Sequence, residues 1–218
     1  MDFSSVDLAL FAKLLLLMLV GLGPKIALVP FIEKTKDLEP AVQREVGTRM
    51  VIVAVVTALI LFATGWLLLR MFHISTGAVE IAGGLVLLRL ALGMAAGPTD
   101  EVVREVEGRV PPADPMKLAL YPLAVPYLLN PVGISVLIVA SSNMENIGGA
   151  LLVVLVVLLV GGFDLLVFRN MDTISKRLRP TVQIVSEAVF GILLTAVAIQ
   201  LVATGLNALG IIQLSGGH

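Results

Sequence analysis

The sequence predicts an all-α polytopic membrane protein: six transmembrane helices forming two inverted three-helix repeats, with broken first and fourth helices. Three observations carry this prediction. Of 218 residues, 58% are hydrophobic and 14% charged, against roughly half and about a quarter in an average soluble domain. Six apolar stretches have the length of about 20 residues needed to cross a hydrocarbon core. The two halves also repeat at a constant offset of 107 residues.

A mean hydropathy of +1.02 excludes a disordered chain, a nucleic-acid binder and nearly any water-soluble enzyme. The formal net charge of −1 gives no sign of an anionic partner. With no cysteine, the chain has neither a disulfide framework nor thiol chemistry. His73 and His218 lie too far apart for metal-site spacing. The G-x-G at Gly21 follows no strand, so it is not a nucleotide loop. No residues support an enzymatic reading, and none call for a cofactor.

The expected spans are 8–31, 48–71, 76–97, 118–141, 148–168 and 181–207. The first lacks a basic leader and a small-residue cleavage site, so it reads as a retained helix. Pro40 suits a first helical turn, and Ala41–Met50 continues from there into the second span. Residues 98–116 form a cytoplasmic linker between repeat 1 (1–97) and repeat 2 (117–218). The linker carries Pro111, Pro112 and Pro115, mixed charges of a solvated face, and one short surface helix from Asp100. Lys and Arg side chains sort unequally between the loops, eleven on one side and Arg70 alone on the other. Both termini are therefore expected outside a cell membrane by the positive-inside rule.

At the offset of 107, Pro24 pairs with Pro131, Glu80 with Glu187, Gly84 with Gly191, Leu87 with Leu194 and Ala91 with Ala198. Leu and Ala matches are common in such a composition; a proline pair and a glutamate–glycine pair at one gap-free offset are not. Each repeat has an odd number of spans, so the second enters from the opposite face. Inverted repeats of this kind build secondary transporters, with the substrate site near the midplane.

Within the first span stands Gly21-Leu-Gly-Pro-Lys25, and within the fourth stand Pro122, Pro126 and Asn130-Pro-Val-Gly133. Proline removes an amide donor and clashes with the preceding turn, which opens the helix. Freed carbonyls and half-helix amino ends then suit a small zwitterion or ion. The candidate substrate-binding residues are Gly23, Pro24, Lys25, Asn130, Pro131, Gly133 and Ser135. A packing kink is the plainer explanation for either break alone, and Ser135, Ser186, Thr195 and Gln200 serve equally well as interhelical hydrogen-bonders.

Glu80, Glu187 and Asp164 are the candidate gating and coupling groups, because a buried carboxylate costs several kcal/mol unless paired, hydrated or protonated. Glu80, Gly84, Leu87 and Ala91 share one helix face, which Glu187, Gly191, Leu194 and Ala198 repeat. Static pairing is the alternative: Glu80 with Lys25 or Arg89, and Asp164 with Arg169, the latter favoured. Lys25 either ligates substrate or extends to the interface, and Lys13 extends likewise. Gly93 to Gly97 is a weak association motif that equally serves packing within the chain.

These motifs resemble the MarC family, also called the neutral amino acid transporter family. Phe72-His-Ile-Ser75 with Ile81-Ala-Gly-Gly-Leu85, Pro122-Leu-Ala-Val-Pro126 with Asn130-Pro131, and Gly191 to Leu194 match its pattern over nearly the whole chain. The resemblance implies six spans, outer termini, two inverted repeats and, from an archaeal member, uptake of glycine- and alanine-like amino acids coupled to a cation, H+ or Na+. The partners are then an amino acid, that cation and the lipid bilayer, with a homo-oligomer compatible but unspecified. Two departures stand out. The first break has Gly23-Pro24 where members commonly have Asn-Pro, and Glu80 and Glu187 occupy positions usually held by arginine. That paired charge reversal opens two rivals, a cation or metal permeation pathway and a cationic-solute exporter. A non-transporting scaffold with permanently paired charges is a third.

Overall fold

Pro40 fits the first turn of a helix because its missing N–H is one that turn leaves unbonded anyway. From it, 33 residues wind without interruption to Phe72, where His73 takes a left-handed conformation (φ 53°) and ends the helix. The computed structural model describes residues 8–96, 114–142, 147–171 and 180–213, excepting the side chains of 8–10, 13, 29, 94–96, 180–188 and 190. Most of the described residues are helical, and no strand occurs among them.

In chain order the elements are α1 (Leu8–Gly21), α2 (Pro24–Thr35), α3 (Pro40–Phe72), α4 (Thr76–Ala96), the short α5 (Pro115–Leu118), a wide-wound segment (Ala119–Leu128), α6 (Pro131–Ser142), α7 (Ile147–Arg169) and α8 (Pro180–Ala208). Among the described residues four helices, in α3, α4, α7 and α8, are long and apolar enough to span a membrane, and the Pro115–Leu128 and Pro131–Ser142 pair, bent by 71°, passes the same test as a unit, with the geometry of a broken span or a re-entrant loop. The first expected span is interrupted at Leu22 and Gly23, within the Gly21–Lys25 break that the sequence predicts. There, 14-residue α1 and 12-residue α2 are only about 21 and 18 Å long, each short of the roughly 30 Å hydrocarbon core. The expected short helix from Asp100 lies outside the described residues.

Between α5 and α6, Tyr121 and Val125 are extended rather than helical, each immediately before a proline. Proline crowds the preceding residue out of helical geometry, so Pro122 and Pro126 fix where the winding fails.

Two apolar clusters hold the molecule together. The larger joins α1, α2, α3, the wide-wound segment, α6 and α7 through buried side chains including Leu22, Phe31, Met50, Leu128, Leu137 and Phe168. The Phe31 and Phe168 rings pack 5.1 Å apart at 59°, within the tilted geometry aromatic pairs prefer. The smaller cluster contains Ile26, Leu87, Ala91, Val132, Leu194 and Ala198. Leucines such as Leu16, Leu85, Leu151 and Leu166 are more than half exposed, as lipid-facing positions of a membrane helix are.

Candidate functional site at the two helix breaks

The two breaks meet each other. Gly21, the last residue of α1, lies backbone to backbone with Gly133 in the first turn of α6. A Cβ on either would collide with the main chain of the other. Glycine is required at both positions by this approach. It also brings the end of α1 within hydrogen-bonding reach of the residue that precedes α6.

Asn130 supplies the missing partners. Its backbone N–H donates to the Gly21 carbonyl at 2.9 Å, and its side-chain Nδ2 donates to the Val20 carbonyl at 2.6 Å. Its Oδ1 accepts from Val132 N–H at 2.9 Å and Gly133 N–H at 3.3 Å, the pattern of a helix N-cap. Thus one buried side chain closes the end of α1 and the beginning of α6 together. The repeat partner of Asn130 is Gly23. It caps α2 in an extended conformation (φ −86°, ψ 164°) without a side-chain bond, and a Cβ there would meet the Leu19 carbonyl. The first break is therefore packed too tightly for the asparagine that serves the second.

α4 and α8 cross in front of the breaks. Gly77 lies against the Gly205 carbonyl, and Gly84 against the Ala198 carbonyl, with added Cβ atoms meeting those oxygens at 2.7 and 2.8 Å. The N-terminal end of α4 thus lies beside the C-terminal end of α8, and the helices run antiparallel. Leu87 and Leu194 lie at the crossing, and Ile26 and Val132, each in the first turn after a break, pack onto it. α6 also reaches α4 directly: Ser135 Oγ donates to the Val79 carbonyl at 3.3 Å and sits over Gly83.

Of the expected substrate-binding residues, Gly23, Pro24, Asn130, Pro131, Gly133 and Ser135 are buried around this junction. Lys25 is exposed and engaged in contacts of its own. Ser135 has the interhelical role, Thr195 bonds the Gly191 carbonyl of its own helix, Gln200 is exposed, and the Ser186 side chain lies outside the described residues.

Of the carboxylates, Asp164 departs from its favoured pairing, and Glu80 keeps one oxygen outside the pairing that was its alternative. Glu80 is half-buried and its Oε2 is buried without a hydrogen-bond partner, so neither Lys25 nor Arg89 pairs with that oxygen. Asp164 is fully buried with neither oxygen bonded, which corrects the expected Arg169 pairing. The reason is geometric: five residues along a helix turn Arg169 away from Asp164, and Arg169 is exposed. Glu187 lies on α8, but its side chain is outside the described residues. A cavity bordered by Phe62, Trp66, Ser141 and Ala150 lies away from the breaks. Sequence reading passed over Ser141, whose Oγ accepts from Trp66 N–H of α3 at 2.9 Å; a serine in an apolar run was its only signal.

A family profile described as MarC family integral membrane protein matches residues 8–209. The UPF0056 membrane protein MJ1677 of Methanocaldococcus jannaschii is 30% identical over 190 residues, covering 85% of this chain and 90% of its own length. The UPF0056 membrane protein YhcE of Escherichia coli K12 is 27% identical, covering 88% and 89%. The UPF0056 membrane protein BU267 of Buchnera aphidicola is 24% identical, covering 96% and 97%. No solved structure matches the chain.

Proposed function

This chain belongs to the MarC family of integral membrane proteins, and on that premise we propose that it is a secondary transporter of small solutes, with neutral amino acids of the glycine and alanine type as substrates and a cation as coupling ion. The reading takes the chain as two inverted repeats in a cell membrane with both termini outside. The observation that carries it is the meeting of the breaks between Gly21 and Asn130–Gly133 against the α4–α8 crossing.

One contact at the crossing supports the inverted-repeat reading. Gly84 packs on Ala198, and the offset of 107 converts that pair into Gly191 and Ala91, both of them buried. In this arrangement the break is shut. Separating Gly21 from Gly133 would free the Val20 and Gly21 carbonyls together with the α6 amino end, offering acceptors to an ammonium and donors to a carboxylate. In this reading Gly23, Pro24, Lys25, Pro131 and Ser135 would border the space so opened. Glu80 and Glu187, 107 residues apart, fall toward opposite ends of the antiparallel pair, as outer and inner gating elements would.

Uptake of labelled glycine, alanine and serine into proteoliposomes, with and without proton and sodium gradients, tests this. Gradient-driven accumulation supports amino acid transport; no uptake under any gradient sinks it. A second reading, a cation pathway or cationic-solute exporter, draws on the unpartnered oxygens of Glu80 and Asp164. It predicts flux of cations without an amino acid.

A further inference from the structure

Asp164 stands apart from the break. On α7 it shares one face with Val157, Val160, Gly161, Phe168 and Met171, all buried. One turn before it, Gly161 lies against Val55 of α3, and one turn after it Phe168 packs on Gly47 of α3 and on Phe31 of α2. Asp164 therefore projects into the apolar core between α2, α3 and α7, where its exposure is 0% and neither carboxylate oxygen has a hydrogen-bond partner.

The described elements packed most closely against α7 are α1, α2 and α3, and their charged groups are accounted for in turn. On α2, Lys25 and Glu33 are exposed and Lys34 is half-buried; on α3, Arg44, Glu45, Arg49 and Arg70 are exposed. None of these bonds Asp164. The Lys13 side chain of α1 lies outside the described residues. Arg169, on α7 itself, is exposed.

An ionised carboxylate in such surroundings costs several kcal/mol with nothing returned, whereas the neutral acid buries at much lower cost. A bound divalent metal ion would answer the charge only with a shell of several ligands. Among the described residues no group of three or more histidine or carboxylate side chains gathers that could hold a metal ion. A proton needs one oxygen.

We propose that Asp164 is the proton-exchanging residue of the transport cycle: it is a neutral carboxylic acid in this shut arrangement and loses its proton to water when α7 moves against α3. One O–H bond breaks, the electron pair stays on the carboxylate and the proton passes to water; the return step reverses this. The inference rests on the transport reading and deepens it by naming the coupling ion and the residue that carries it. It gives Asp164 a role distinct from Glu80, which sits at the α4–α8 pair.

The test joins a spectroscopic and a transport measurement on the full chain. Infrared spectra of the purified protein, with and without 13C-labelled aspartate, should contain the C=O stretch of a protonated carboxylic acid. That signal should shift with the label, disappear in Asp164→Asn and persist in Glu80→Gln. In proteoliposomes, the wild type should concentrate glycine under an inward proton gradient, and Asp164→Asn should lose that concentration. Asp164→Glu, which keeps a titratable group, should restore coupling with an altered pH profile, and it serves where the asparagine variant fails to fold. Absence of the protonated-acid signal from the wild type overturns the proposal, as does undiminished gradient-driven accumulation in folded Asp164→Asn. A wild type that moves none of the amino acids sinks the transport reading itself, and the coupling role with it.

Discussion

Asn130 and Val20 are 110 residues apart in sequence, yet the Asn130 side-chain amide donates to the Val20 carbonyl at 2.6 Å while its Oδ1 caps the opening turn of α6. One carboxamide thereby ties the end of the first half-helix to the start of another. The bond spans the place where the chain is proposed to open, so its removal acts on stability and on the shut arrangement together.

Replacing Asn130 by alanine should cost about 1–2 kcal/mol from the lost cap alone, with a further loss from the Val20 carbonyl left unsatisfied. Asn130→Asp keeps the cap acceptor but turns a buried carboxylate oxygen toward the Val20 carbonyl, so it should be no more stable than alanine. Thermal unfolding in one detergent ranks the three. An alanine variant as stable as the wild type would refute the linking role.

Gly133→Ala and Gly21→Ala each drive a Cβ into the opposing backbone. Overpacking of this kind should destabilise by about 1–3 kcal/mol and hold the breaks apart. Gly162, with nothing within 4 Å of an added Cβ, is the control: Gly162→Ala should be neutral or stabilising by up to about 1 kcal/mol, from helix propensity. Melting temperatures of the three variants measured side by side decide it, and equal behaviour would contradict the close approach.

Glu80→Gln separates a transporter from a scaffold. If Glu80 gates, the variant stays monodisperse on size exclusion and loses most of its amino acid flux. If instead the charge serves folding, yield and monodispersity fall with it. Under the inverted-repeat reading Glu187→Gln should behave alike, since Glu187 lies at the offset of 107 from Glu80.

The absence of native cysteine makes the topology directly measurable. Single cysteines at Asp37, between α2 and α3, and at His73, between α3 and α4, should label from opposite sides of the membrane, with His73 reacting from outside in intact cells. Labelling of both from one side would overturn the orientation inferred from the Lys and Arg distribution.

Much of the secondary structure was legible because a bilayer leaves few choices. Apolar runs of the right length must satisfy their backbone groups internally, so 76–97, 148–168 and 181–207 coincide closely with Thr76–Ala96, Ile147–Arg169 and Pro180–Ala208. The breaks before Pro24 and Pro131 were legible for the same local reason, since proline cannot complete the preceding turn. Residue counting ended the first span at 31, whereas α2 runs on to Thr35, because hydropathy reports composition and not where a helix stops.

Sequence alone determined the class of the molecule, the positions of its helices and interruptions, and the recurrence of those features at a single offset. All of these follow from interactions within a few residues or with the surrounding lipid. Only the tertiary structure decided that Gly21 faces Gly133, that Asn130 serves two helices at once, and that Asp164 has no partner where Arg169 was expected. Those are relations between distant parts of the chain. They are set by how closely backbones without side chains can approach and by which face of α7 turns inward.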